Sequence, residues 1–213
     1  MTRIGLHVIN PLAGNHPVSS DPREVAASAA AGERSWREFP YYEARFGERG
    51  RRFGHSDSAW LSLAARHGVE HLRREVLWLA EVLSARGMPQ WMLERHLEFL
   101  HEELVQAVPE RREGYDKLLA AAGMLRERRQ WKLGEDDVRA LAAEFGARVG
   151  PEWGARLPHM GTLLAAAVAD ERNGVARAVG SIEEWATDAS RFPAAWIAAV
   201  HDTIAKARER SSR

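Results

Sequence analysis

Leu93, Leu97, Leu100, Leu104 and Val108 follow one another at steps of three and four residues, and Val69, Leu72, Val76, Leu79 and Leu83 repeat the spacing. Such a row lies along one face of an α-helix; on a strand, where side chains alternate, it would be scattered over both faces. A third row, Tyr115, Leu118, Leu119, Ala122 and Leu125, follows after Pro109. Alternating polar–apolar runs are missing and β-branched residues are sparse, while Ala, Leu, Arg and Glu dominate. The chain is therefore expected to be all-α, a multi-helix bundle.

Punctuation along the chain places the helices. Asp21 followed by Pro22 is a cap with proline at the first helical position, and the alanines after it propagate a helix. A short helix is expected from Pro40 to Arg49, bounded by Gly47 and Gly50. Ser56 or Asp57 then caps SAWLSLAARHG, which Gly68 closes; Gly87 ends the next helix, and Pro89 opens the one after it. The last four helices are expected at Asp136–Arg148, Glu152–Glu171 with a disturbance at Pro158, Val175–Asp188 and Pro193–Glu209.

Residues 1–20, dense in Pro, Gly, Asn and Ser, form an extended arm in this reading, ahead of one all-α domain over 21–211. A short capped helix followed by three longer ones occurs twice, which suggests antiparallel sub-bundles over 56–131 and 134–211. At 213 residues the chain is long enough to bury a substantial core without covalent staples.

Charge and composition remove several classes of function. Thirty basic residues balance thirty acidic ones, so there is no excess positive field to draw in a nucleic-acid backbone. The absence of cysteine excludes disulfides, thiolate nucleophiles, iron–sulfur clusters and cysteine zinc sites. No early apolar segment resembles a leader, and no apolar run reaches the roughly 18 residues of a membrane span. The expectation is a cytoplasmic protein, with no membrane or nucleic-acid partner. The Gly-rich phosphate loop, the Gly-x-Ser-x-Gly elbow and the dinucleotide fingerprint are all missing.

Two constellations carry metal chemistry on paper. Glu94, Glu98 and His101 share a helix face, and Glu98 with His101 makes the Glu-x-x-His spacing by which ferritin-like bundles place two ligands on a metal pair. Such a site needs a second Glu-x-x-His, which the chain lacks, and the leucine row beside these residues makes them rim to a packed core. His67-Gly-Val-Glu-His71 has the order of an inverted zinc-protease motif, but Gly68 inside it marks a bend expected to part the imidazoles. His159 and His201 are expected to face inward, where one imidazole suits a haem in a globin-like pocket. No particular cofactor is named by these residues.

The most distinctive local composition is YYEARFGERGRRFGHSDSAW, from Tyr41 to Trp60, which interleaves aromatics with Arg45, Arg49, Arg51 and Arg52. Guanidinium groups there can stack on rings or grip an anion, although Glu43 and Glu48 dilute the charge. The ligand-facing set expected is Tyr41, Tyr42, Arg45, Arg52, Phe53 and Trp60, with Trp78 from the next helix. The eight tryptophans are expected chiefly to fill gaps between helices.

The stretch EVLSARGMPQWMLERHLEFL resembles, in its order of long helix, glycine and proline-capped helix, the helical module that covers the corrinoid in cobalamin-binding proteins. The signature Trp and Glu-His of that module are absent, so the resemblance implies no function. The function expected is that of a non-catalytic binding or regulatory protein, holding a small ligand or a partner protein in a groove between helices; a homo-oligomer is a further expectation. The alternative is a metal- or tetrapyrrole-dependent helical protein, with a ferritin-like di-metal site or a globin-like haem pocket.

Overall fold

Local signals start the first helix where the sequence places it. The structure, a computed structural model, describes residues 17–211; most of the expected N-terminal arm lies outside these residues. Asp21 Oδ1 accepts the Arg23 N–H at 3.0 Å and Pro22 opens α1 (Pro22–Glu38). The remaining helices among the described residues are α2 (Pro40–Ala64), α3 (Val69–Ser84), α4 (Gln90–Ala107), α5 (Arg112–Lys132), α6 (Glu135–Arg156), α7 (Met160–Arg172), α8 (Ala178–Ala186) and α9 (Ala194–Arg210). A 3₁₀ turn, Pro109–Arg111, leads into α5, and the described residues contain no strand. The fold is all-α.

These helices fall into two compact units. The first takes the described residues up to Leu77 together with Glu94–Gly123; the second takes Trp78–Leu93 together with the described residues from Met124 onward. The units are therefore not consecutive stretches of chain, and α3, α4 and α5 are each divided between them.

In the first unit α1 packs on α2. Phe39, Tyr41, Leu61, Leu97, Leu100, Leu104 and Leu118 are buried in its core, which places the α4 leucine row where its spacing requires. Leu119, the neighbour of Leu118 on α5, is exposed instead. Glu24 is fully buried and receives hydrogen bonds from Arg66, Arg111 and Tyr115, joining the start of α1 to the end of α2 and to α5. Burial works to raise its pKa, but these donors together with Ser19 overcome it and hold Glu24 below the ordinary carboxylate range.

The expected short helix ending at Arg49 is instead part of α2, and Ser56 and Asp57 lie inside a helix rather than at its start. Only Gly47 leaves helical geometry, at φ 54° and ψ −158°, a region open to glycine, and the helix resumes at once. The buried Ser56 spends its hydroxyl on the Phe53 carbonyl, 2.8 Å away.

In the second unit α6, α8 and α9 surround α7. Every residue of α7 from Leu163 to Asp170 is buried, as expected of a helix apolar on all sides. Around it Phe145, Trp153, Trp185, Phe192 and Trp196 form a run of ring contacts with centroids 5.0–5.6 Å apart. Trp196 is fully buried and its indole N–H donates to the Ala186 carbonyl at 3.0 Å. α6 bends at Gly150, φ 78°, and Pro151 restarts the helix beyond it. The break between α6 and α7 falls at His159, held at φ 65°.

Candidate functional site

The arginine–aromatic segment is arranged around the Gly47 bend of α2. Trp36 of α1 stacks on Tyr42 with ring centroids 5.8 Å apart and planes within 7° of parallel. Phe46 meets Tyr41 edge-on at 5.9 Å. A Cβ at Gly50 would lie 2.4 Å from Phe46 Cβ and 4.0 Å from Trp36, so the second glycine of FGERG lets these rings close over the backbone. Guanidinium groups then cover the rings: Arg45 lies 5.0 Å from the Phe46 centroid, Arg49 5.8 Å from Phe53, and Arg51 6.0 Å from Trp36.

These arginines are not equivalent. Arg51 is clamped by Glu33, Nε and Nη2 donating to its two carboxylate oxygens at 2.9 and 2.6 Å, and His55 bonds to the same carboxylate at 2.8 Å. The Arg51 hydrogen bonds, opposed by partial burial and aided by His55, hold Glu33 below the usual carboxylate range. Arg45 donates to the Tyr41 hydroxyl, and Arg52 pairs with Glu48 at 3.3 Å on the exposed side. Arg49 is exposed, and its guanidinium has no carboxylate partner among the described residues.

Of the expected ligand set, Tyr41 is fully buried and Tyr42 half-buried, and burial pushes both phenols above their ordinary pKa. Phe53 lies beneath Arg49, whereas Trp60 packs on Val18 and Ala59. Trp78 belongs to the second unit, where it is 57% exposed. The residues that do surround the bend are Trp36, Tyr42, Arg45, Phe46, Arg49 and Phe53. Trp36 lies outside the interleaved stretch and is brought in by the pairing of α1 with α2.

Glu98 and His101 are each engaged by a different side chain. Glu98 pairs with Arg95, His101 Nε2 donates to Asp116 Oδ1 at 2.8 Å, and Glu94 is buried. Among the described residues no group of three or more histidine, aspartate or glutamate side chains is arranged to hold a metal ion. The chain does turn at Gly68, yet the His67 and His71 rings remain neighbours, edge-on at 4.9 Å, contrary to the expected parting. His201 is exposed rather than inward and bonds to Glu183 at 3.1 Å. His159 is likewise exposed, its ring against Trp91 at 5.7 Å.

A buried histidine that the sequence gives no cause to single out is the polar centre of the first unit. His96 on α4 lies between Ser58 Oγ, 3.0 Å from Nε2, and Ser35 Oγ, 2.8 Å from Nδ1. Ser58 donates its own hydrogen to the Gly54 carbonyl at 2.6 Å, so it accepts from Nε2–H, and Nδ1 is left to accept from Ser35. Burial first, then repulsion from His55, lowers the His96 pKa to about 4. A serine donating to a histidine is the pairing that activates nucleophiles. Here the base is weak and both partners are buried, so the triad ties α1, α2 and α4 together.

Compared with protein-family models, curated proteins and solved structures, the chain finds no match.

Proposed function

We propose that the protein is a non-catalytic helical binding protein whose first unit takes an anionic ligand with a flat or aromatic portion at the Gly47 bend of α2. The observation that carries this reading is Arg49, an exposed guanidinium placed over Phe53 with no carboxylate partner among the described residues, beside Arg45 over Phe46. Arginine in this setting offers a planar donor fork to an anion while its own face stays on a ring. The half-buried Trp36, Tyr42 and Phe46 supply apolar surface for the remainder of the ligand, and their positions are set by Gly50 rather than by loops.

A pair of naphthalene probes tests the reading. Anilinonaphthalene sulfonate, an anion, is expected to bind the folded protein saturably, and uncharged N-phenylnaphthylamine at least tenfold more weakly. Arg49→Ala is expected to weaken the sulfonate about tenfold, the lower end for a hydrogen bond to a charged group, while Arg49→Lys recovers part of the loss. Equal binding of the two probes, or an unchanged affinity in Arg49→Ala, overturns the proposal.

A further inference from the structure

The second unit buries a carboxyl group that has no counter-charge in hydrogen-bond contact. Asp170, near the end of α7, is 1% exposed. Its Oδ2 accepts from Ser84 Oγ at 2.7 Å, at the last residue of α3, and from the Gln90 backbone N–H at 2.8 Å, at the first residue of α4. Both donors are uncharged. Its Oδ1 accepts no hydrogen bond, and nearby Gln90 Nε2 and Arg128 Nε are buried donors that are likewise unused. One side chain thus joins α7 to both ends of the α3–α4 connection through half of its carboxyl group.

Most of the other charges on the elements around it are paired elsewhere or exposed. On α5, Arg128 and Arg129 act on Asp170 from beyond hydrogen-bond range, and Arg129 is engaged by Glu135 at 2.9 Å. Glu81 near the end of α3 and Arg86 in the connection are exposed, and the first four residues of α4 are uncharged. On α6 and α9, Glu144 pairs with Lys206 and Arg210; Glu171 of α7 pairs with Arg208, and Glu183 of α8 with His201. No acid on these elements competes with Asp170 for a proton through a direct hydrogen bond.

We infer that Asp170 is a proton-controlled latch: neutral, it closes the α3–α4 connection onto α7, and ionised, it favours opening of that contact to water. Ionisation puts charge on an oxygen that the closed arrangement leaves bare, and exposure to water relieves it. Burial, opposed by the Gln90 and Ser84 hydrogen bonds and the distant arginines, raises the Asp170 pKa to about 7, which sets the latch near neutrality. The connection is held separately by Ser181 Oγ, which donates to the Ala85 carbonyl at 2.7 Å, so opening at Asp170 does not by itself release it.

The sign follows from a pKa raised on folding. The native state holds a proton that the unfolded chain has given up, so this contribution to stability is complete below the unfolded value and is lost as pH rises to about 7. Asp170→Asn keeps the shape and the acceptor but removes the titration. In urea unfolding of the full chain, the stability of Asp170→Asn relative to wild type is expected to rise between pH 5 and pH 7, by at most about tenfold in the unfolding constant per pH unit, and to level off above pH 7. Carbon-13 carboxyl NMR of the wild-type protein is expected to show one aspartate titrating near neutrality, and this readout does not depend on the variant folding. A pH-independent difference between the two proteins, or an Asp170 carboxyl that titrates below pH 5, overturns the latch.

Discussion

His96 shows how a single polar side chain becomes part of a core. Its neutral ring accepts from Ser35 and donates to Ser58, which satisfies both nitrogens without charge. His96→Leu fills a similar volume but strands the Ser35 hydroxyl, and is expected to destabilise the protein by about 1–3 kcal/mol, the range for an unpaired buried polar group. Adding Ser35→Ala removes the stranded donor and is expected to recover part of that loss, measured by urea unfolding at pH 7. A depressed pKa also means that the unfolded chain takes up a proton first. The stability due to His96 is present above pH 6.5 and is lost as pH falls towards 4. The His96→Leu variant is expected to lack this acid-sensitive component. The sequence marks Glu98 and His101 because one helix carries a familiar spacing; it cannot mark His96, whose partners arrive from positions 35 and 58 through tertiary pairing. Asp170 left a fainter trace, the first acid after an apolar run, legible only once that run is known to be buried on every side.

At the scale of elements, the apolar rows and the capping residues were enough to place most helices. Asp21 with Pro22 starts α1, and Gly134 with its acidic successors starts α6. What local grammar could not supply was the continuation of α2 through Gly47. A glycine ends a helix or bends it according to what the following residues can pack against, and here Phe46 and Trp36 close over Gly50 beyond the bend. Gly161 poses the same question between α6 and α7. A Cβ there would lie 2.8 Å from Ala142 Cα, 2.9 Å from Phe145 Cβ and 3.3 Å from the Ala142 carbonyl oxygen. Two of these contacts are with backbone, which yields only if the helices separate. Gly161→Ala should therefore destabilise the protein by about 1–3 kcal/mol through overpacking, more than the roughly 1 kcal/mol that alanine adds to an isolated helix. Gly180 on α8 meets nothing within 4 Å, and the same substitution there should be neutral or stabilising. Thermal unfolding of the two variants side by side separates the packing effect from the propensity effect.

Over the whole molecule, the rows of apolar residues announce helices but not their partners, because a stripe records only that a face is buried. That is why the division of α3, α4 and α5 between two units was not legible, and why the residues around the Gly47 bend could be named only in part. Each unit nevertheless holds a buried group whose displaced titration bears on stability in the mildly acid to neutral range, His96 in one and Asp170 in the other, and the two have opposite signs. His96 in the first unit weakens its surroundings as pH falls below 6.5, whereas Asp170 in the second weakens its own as pH rises towards 7. Asp21, Glu24, Glu33, Glu135, Glu144 and Asp188, all held below their ordinary values, exchange protons in more acid solution and bear little on this window. Amide hydrogen exchange read by mass spectrometry, corrected for the intrinsic pH dependence of exchange, resolves the units separately. Between pH 5 and pH 8, protection of peptides from α1 and the second half of α2 is expected to rise, while protection of peptides from α7 and the α3–α4 connection falls. A common trend in both sets would mean that one group dominates the whole chain; opposite trends would locate the two proton-sensitive centres in the units that contain them.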